Sequence, residues 1–199
     1  MTPAAGSAIS FDELLSGDGS PRHAALSNCL SEISLDVLAG RQQHAEEDLL
    51  EKGVTFAVYG NDEGTEKIWP FDVVPRAIAW NEWQTVATGL RQRIRALNLF
   101  LNDIYTDAEI LKEGVIPEDL ILTAKTYRPE CHGLAPSRGV WTHVTGTDLI
   151  RHSDGQIYVL EDNLRCPSGV SYVLENRELM KRVLPEVFYG SSIAPIEDY

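Results

Sequence analysis

The 199-residue chain is poor in cations: 17 Lys and Arg stand against 30 Asp and Glu, for a net charge of −13. That deficit excludes the basic face that nucleic-acid phosphates require and the polybasic patch that an anionic membrane attracts. Long hydrophobic runs are missing as well. No stretch reaches the roughly 20 apolar residues that span a bilayer, and the first residues lack the basic and apolar regions of a secretory signal. Cysteine is scarce. Cys29, Cys131 and Cys166 are far apart and form no Cys-x-x-Cys pair, which argues against a zinc site or disulfide framework and for free thiols in a reducing cytoplasm. Cys131 and His132 are sequence neighbours, a poor geometry for a nucleophile and its base. The shortage of bases does not exclude ATP, because a divalent cation bridges carboxylates to phosphates. What is present, 43% hydrophobic and 24% charged residues, describes a globular protein with one sizeable core or two small ones.

Along the chain, residues 1–10 are small and polar and are expected to be disordered. Leu26, Leu30, Ile33, Val37 and Leu38 recur at helical spacing and predict one or two helices from His23 to Lys52, closed by Gly53. Val54–Tyr59 reads as a strand that turns through 60–64 to pair with Lys67–Trp69. Prolines at both ends make Pro70–Arg76 an extended segment, in which Asp72 and Arg76 suit a mutual salt bridge. Val86, Leu90, Ile94, Leu97, Leu101 and Ile104 form the stripe of a long helix from Asn81 to Tyr105. Its Arg91, Arg93 and Arg95 fit a solvated face, and Gln92-Arg93 could instead point toward an anionic ligand. A short helix over Asp107–Glu113, a loop over Tyr127–Gly139 and an alternating Val140–Thr145 segment follow. Val170 to Met180 is again helical, and the tail from Ser191 carries no pattern.

The chemistry concentrates in one hairpin. Gly146–Arg151 is an apolar strand with one acid, Asp148. Ile157–Leu160 is a second apolar run that ends in Glu161-Asp162-Asn163. Between them Asp154-Gly155 supplies the positive φ of a tight turn. Glu161 and Asn163 lie two apart and so share a strand face, whereas Asp162 points away and is structural. With the turn centred on Asp154-Gly155, Asp148 stands beside them. Two carboxylates and an amide oxygen are donors that suit Mg²⁺. Arg165 continues the same face and can neutralise a phosphoryl group. The apolar run implies that the strand's end meets a buried environment, where a carboxylate needs a cation or a donor. The same residues, taken only as polar groups on an acidic protein, also fit a solvated surface hairpin. His143 and His152 suit structural or exposed positions better than a transition metal. Cys166 beside Arg165 lacks a base.

These phrases also resemble a known family. Gly53-Val54-Thr55-Phe56, Pro70-Phe71-Asp72, Gln92-Arg93-x-x-Ala96-Leu97-Asn98 and Leu160-Glu161-Asp162-Asn163-Leu164-Arg165-x-Pro167-Ser168-Gly169 together resemble the circularly permuted (type 2) ATP-grasp group related to glutathionylspermidine synthase-like amide ligases. The resemblance implies a mixed α+β, ATP-grasp-like fold with a mostly antiparallel sheet and flanking helices. It implies ATP- and Mg²⁺-dependent joining of a carboxylate to an amine through an acyl-phosphate, with peptide-like substrates among those the resemblance suggests. Asp148, Glu161 and Asn163 match the metal positions, and Arg165 matches a position at the phosphate. Ser168 and Gly169 match a turn whose amides face that group. Residues 11–199 correspond to the N-terminal part of such a domain without its nucleotide-binding half. A chain of this kind is expected to be inactive alone, to bind ATP weakly and to favour self-association through exposed apolar surface. ATP-dependent phosphotransfer and a non-catalytic assembly module are the rival readings.

Overall fold

A computed structural model describes residues 11–58 and 65–196. The expected disorder of residues 1–10, the turn over 60–64 and the last three residues lie outside that range. The elements are α1 (Ala24–Ser31), α2 (Leu35–Glu51), β1 (Thr55–Val58), β2 (Thr65–Ile68), α3 (Trp80–Ile104), α4 (Glu109–Lys112), α5 (Glu118–Leu122), β3 (Gly146–Arg151), β4 (Ile157–Asn163), α6 (Gly169–Val183) and α7 (Glu186–Tyr189). The fold is mixed α/β, and its strands pair antiparallel as two separate ribbons, β1 with β2 and β3 with β4. The chain divides into two compact units.

The first unit comprises residues 1–79, 153–155 and 168–199. Its core joins Leu26, Ala45, Leu49 and Val73 to Leu179, Met180, Val183, Leu184 and Val187. Helix α2 begins where the Ser34 hydroxyl accepts from the Val37 amide at 3.4 Å. It ends before Gly53, whose φ of +66° is the left-handed stop that glycine allows. Lys181 and Arg182 stand in the last turn of α6, where the helix dipole favours cations. Ion pairs knit α2 to the C-terminal helices: Arg41 to Glu186 at 2.7 Å, Lys52 to Glu175 at 2.8 Å and Arg182 to Asp48 at 2.6 Å. The Gln42 amide bridges the proline-bracketed segment, donating to the Phe71 carbonyl and accepting from the Val73 amide. The expected Asp72–Arg76 bridge does not form. Asp72 accepts from the Val74 amide two residues on, and Arg76 takes Glu13 instead; so short an acceptor favours its own backbone over a distant guanidinium.

The second unit, residues 80–152 and 156–167, is built on α3. The predicted stripe from Val86 to Ile104 is the face that loses solvent, most completely at Ile104. Tyr105, also buried, stacks on Trp141 at 5.1 Å and on Tyr127 at 5.6 Å. Asp103 caps α4 by accepting from the Glu109 and Ile110 amides, both at 3.0 Å. The alternating Val140–Thr145 segment is not a strand. Asn98 on α3 takes its amides: the Asn98 Oδ1 accepts from Trp141 N at 2.8 Å and Thr142 N at 3.1 Å, so neither can enter a ladder. The Asn98 Nδ2 donates to Thr142 Oγ1 and to the Ile94 carbonyl.

Candidate functional site

The β3–β4 hairpin carries the candidate residues. Its turn spans His152 to Gln156, with Gly155 at a φ of +83° and the His152 amide donating to the Gln156 carbonyl at 2.9 Å. From the turn outward the pairs are Arg151 with Ile157, Ile150 with Tyr158 and Leu149 with Val159. A bulge then leaves Leu160 unpaired, and the ladder resumes as Asp148 with Glu161, Thr147 with Asp162 and Gly146 with Asn163. Without that extra residue the regular ladder would set Leu160 opposite Asp148 and turn Glu161 and Asn163 to the other face. The hairpin thus brings Asp148, Glu161 and Asn163 onto one face, and a bulge that the strand pattern did not reveal is what does so.

All three side chains are exposed. Asp148 and Glu161 are like charges directly opposite one another, an arrangement that destabilises an antiparallel pair. Among the described residues, no basic side chain pairs with either carboxylate, and nothing donates a hydrogen bond to Asp148. The one donor to Glu161 is Asn163, whose Nδ2 reaches Oε1 at 3.1 Å and leaves its Oδ1 open. The expectation that the strand's end is buried is corrected. Apart from the bulge, where Leu160 and Glu161 are both exposed, side chains alternate along β4, and Tyr158 is 50% and Leu160 65% exposed.

The opposite face is clasped. Asp162 is only 8% exposed, and its two oxygens accept from Arg93 Nε at 2.7 Å and Thr147 Oγ1 at 2.9 Å. Arg93, whose side chain is still 46% exposed, thus reaches from the solvated side of α3 to this carboxylate. Nearer the turn Arg151, also 8% exposed, is held in a two-pronged pair by Glu82 at 2.6 and 3.0 Å. Arg93 and Asn98 stand in the phrase Gln92-Arg93-x-x-Ala96-Leu97-Asn98, but sequence reasoning gave neither its partner, although an asparagine inside a long helix is a signal that its side chain has other work.

Arg165 is not on the strand. Strand β3 begins at Gly146, opposite Asn163, so the ladder has no partner for residue 165, which lies exposed in a bend. That bend folds back on the hairpin: a Cβ built on Gly146 would lie 2.5 Å from Pro167 Cβ, so only glycine admits this approach. Ser168 and Gly169 form the start of α6 rather than an isolated turn, and they belong to the first unit. Ser168 makes no side-chain cap, and its carbonyl accepts from the Ser171 amide at 3.1 Å. Cys131 has no catalytic link to His132, whose Nε2 pairs with the Tyr127 hydroxyl. Among the described residues no three His, Cys, Asp or Glu side chains converge; the hairpin's trio consists of two acids and an amide.

The helix-backed antiparallel hairpin with two opposed, cation-free carboxylates defines a mixed α/β domain able to present oxygen ligands at a strand edge. The chain belongs to the circularly permuted ATP-grasp type 2 family, whose model matches residues 75–199. It is 46% identical over 191 residues to the uncharacterized protein sll0335 of Synechocystis, covering 95% of this chain and 40% of that protein. It is 39% identical over 194 residues to the uncharacterized protein Rv2411c of Mycobacterium tuberculosis, covering 96% of this chain and 34% of that one. A Frankia casuarinae protein named "Putative glutamate--cysteine ligase 2-2" is 36% identical over 179 residues, covering 89% of this chain and 20% of that protein. The chain therefore spans 40% or less of the length of each of these relatives. No helix among the described residues is long and apolar enough to cross a membrane.

Proposed function

We propose that this chain supplies the cation-holding part of an ATP- and Mg²⁺-dependent carboxylate–amine ligase. One observation carries the reading: Asp148 and Glu161 stand opposed across the ladder with no cation among the described residues, while Asp162 and Glu82 beside them are each matched to an arginine. An arrangement that costs stability in the empty protein suits a site that holds a cation. The donors fit Mg²⁺, a hard ion that takes one or two carboxylates together with phosphate oxygens and water. Asp148, Glu161 and the Asn163 Oδ1 would hold it, and the ion would bridge the protein to nucleotide phosphates and offset their charge. Arg165, exposed in the adjoining bend, is free to meet a phosphoryl group. Ser168 and Gly169, at the start of α6, keep only the role the family resemblance implies, backbone amides that face an anion.

In the reaction class that family membership and the ligase-named Frankia relative support, a carboxylate attacks the terminal phosphorus of ATP and expels ADP. An amine then displaces phosphate from the acyl-phosphate to leave an amide.

Calorimetric titration of the chain with Mg²⁺-ATP, beside Asp148→Ala and Glu161→Ala, tests the site. Each substitution is expected to remove the Mg²⁺-dependent heat, and unchanged binding in both would refute the assignment. In a full-length family member, ADP release that requires both an acid and an amine, with amide detected by mass spectrometry, supports ligation. A stable phosphorylated product would select phosphotransfer instead.

A further inference from the structure

Asp162 has no part in holding the proposed cation, yet it lies between two residues that do. Its surroundings show what it does. The turn end of the hairpin runs in one register, Arg151 with Ile157 through Leu149 with Val159. Continued without interruption, that register would put Glu161 opposite Thr147 and Asp162 opposite Gly146. Asp162 would then share the open face with Asp148, away from Arg93. The observed ladder resumes one residue later, and only in that register do Thr147 and Asp162 face each other and bond at 2.9 Å. Arg93, fixed on α3, closes the same carboxylate from behind at 2.7 Å. Backbone pairing is available to both registers, so side chains decide between them, and a slip of one residue exchanges the two faces. Charge-assisted bonds to a carboxylate that is 8% exposed are strong enough to decide it.

We propose that Arg93, Thr147 and Asp162 are positioning residues that form a register lock. They hold the bulged ladder in which Asp148, Glu161 and Asn163 share one face. The lock rests on the metal reading for its purpose but not for its existence, so the two can fail separately.

The test uses the 199-residue chain and Mn²⁺ alone, followed by the loss of the free-ion electron paramagnetic resonance signal, together with cross-strand nuclear Overhauser contacts. Asp162→Ala and Thr147→Val are expected to weaken Mn²⁺ binding about 10–100-fold, as loss of an outer partner does at metal sites. In both variants the contact between residues 147 and 162 should give way to one between 147 and 161. Arg93→Gln should behave alike, with partial rescue by Arg93→Lys. Deleting Leu160 makes the turn's register and the site's register the same, so in that background Thr147→Val should leave Mn²⁺ binding within about threefold of the undeleted chain. An intact 147–162 contact in Asp162→Ala and Thr147→Val would overturn the lock, whatever happens to binding. So would failure of the Leu160 deletion to restore binding. Mn²⁺ binding indifferent to Asp148→Ala and Glu161→Ala would refute the metal reading, while the contacts would still decide the register. Thr147→Val, which removes a single hydroxyl, serves if Asp162→Ala does not fold.

Discussion

The two faces of the β3–β4 hairpin treat charge in opposite ways. On the helix side, Asp162 is matched to Arg93 and Thr147, and Arg151 to Glu82, each at hydrogen-bond distance, with the Asp162 and Arg151 side chains each 8% exposed. On the open side, Asp148 and Glu161 oppose each other with no cation among the described residues, beside exposed Ile150, Tyr158 and Leu160. The backbone, the strands and the solvent are the same for both. The difference teaches that the acids of the closed face are committed to the fold, whereas those of the open face are matched to no cation among the described residues.

The sharpest way to break this comparison is to open the closed face. Arg93→Ala leaves the largely buried Asp162 carboxylate with only the Thr147 hydroxyl, and removing one partner of such a pair costs about 3 kcal/mol. Urea unfolding should show that loss at neutral pH; a change below about 1 kcal/mol would mean that the closed face is no more committed than the open one. The next effect is steric. Gly146→Ala forces a methyl into Pro167, where the approach is 2.5 Å, and overpacking of this kind costs about 2 kcal/mol. Its unfolding midpoint should fall even with every charge in place.

The open face predicts the reverse sign. Asp148→Asn keeps the shape and removes the repulsion from Glu161, so the cation-free chain should gain about 0.5 kcal/mol. The same substitution should abolish the rise in melting temperature that added Mg²⁺ produces in the unaltered chain. A variant both less stable without metal and still stabilised by it would contradict the division between the faces.

Much of this hairpin was legible beforehand, and the reason is local. Alternating apolar residues and the Asp154-Gly155 turn are short-range signals, and they led correctly to Asp148 beside Glu161. The route was different, however. A turn centred between Asp154 and Gly155 would give that pairing directly, whereas the observed turn is centred on Asp154 and a bulge at Leu160 makes up the difference. The strand pattern gives no sign of that bulge, because it lies in the pairing across the ladder and not in a run of neighbours. The same limit explains the other misreadings. Val140–Thr145 alternates like a strand, but its amides are taken by Asn98, some 40 residues away in sequence. Arg165 has the right parity for the face of Glu161 and Asn163, but the ladder ends before it. Arg93 remains 46% exposed, and what the local pattern lacks is its partner, 69 residues further on. Helices and turns come from near neighbours, whereas the commitments that shape this site come from distant ones.

An ordinary paired acid in the first unit calibrates how little exposed pairing is worth. Glu186 accepts two hydrogen bonds from Arg41, at 2.9 and 2.7 Å. The Arg41 guanidinium, helped by the carboxylate's own backbone, holds that carboxyl below the usual glutamate range. A carboxylate whose folded pKa is depressed binds fewer protons than in the unfolded chain. Its contribution is therefore complete above the ordinary value of about 4.3 and is lost as pH falls through the folded value. Because the Glu186 side chain is 44% exposed, solvent screening limits the pair to under about 1 kcal/mol. Glu186→Gln should thus lower stability slightly at pH 7 and be indistinguishable from the unaltered chain near pH 3, as read by urea midpoints at the two pH values. If the substitution cost as much at pH 7 as Arg93→Ala, solvent exposure would not be what separates weak pairs from strong ones here. The contrast between the hairpin's faces would then need a cause other than burial.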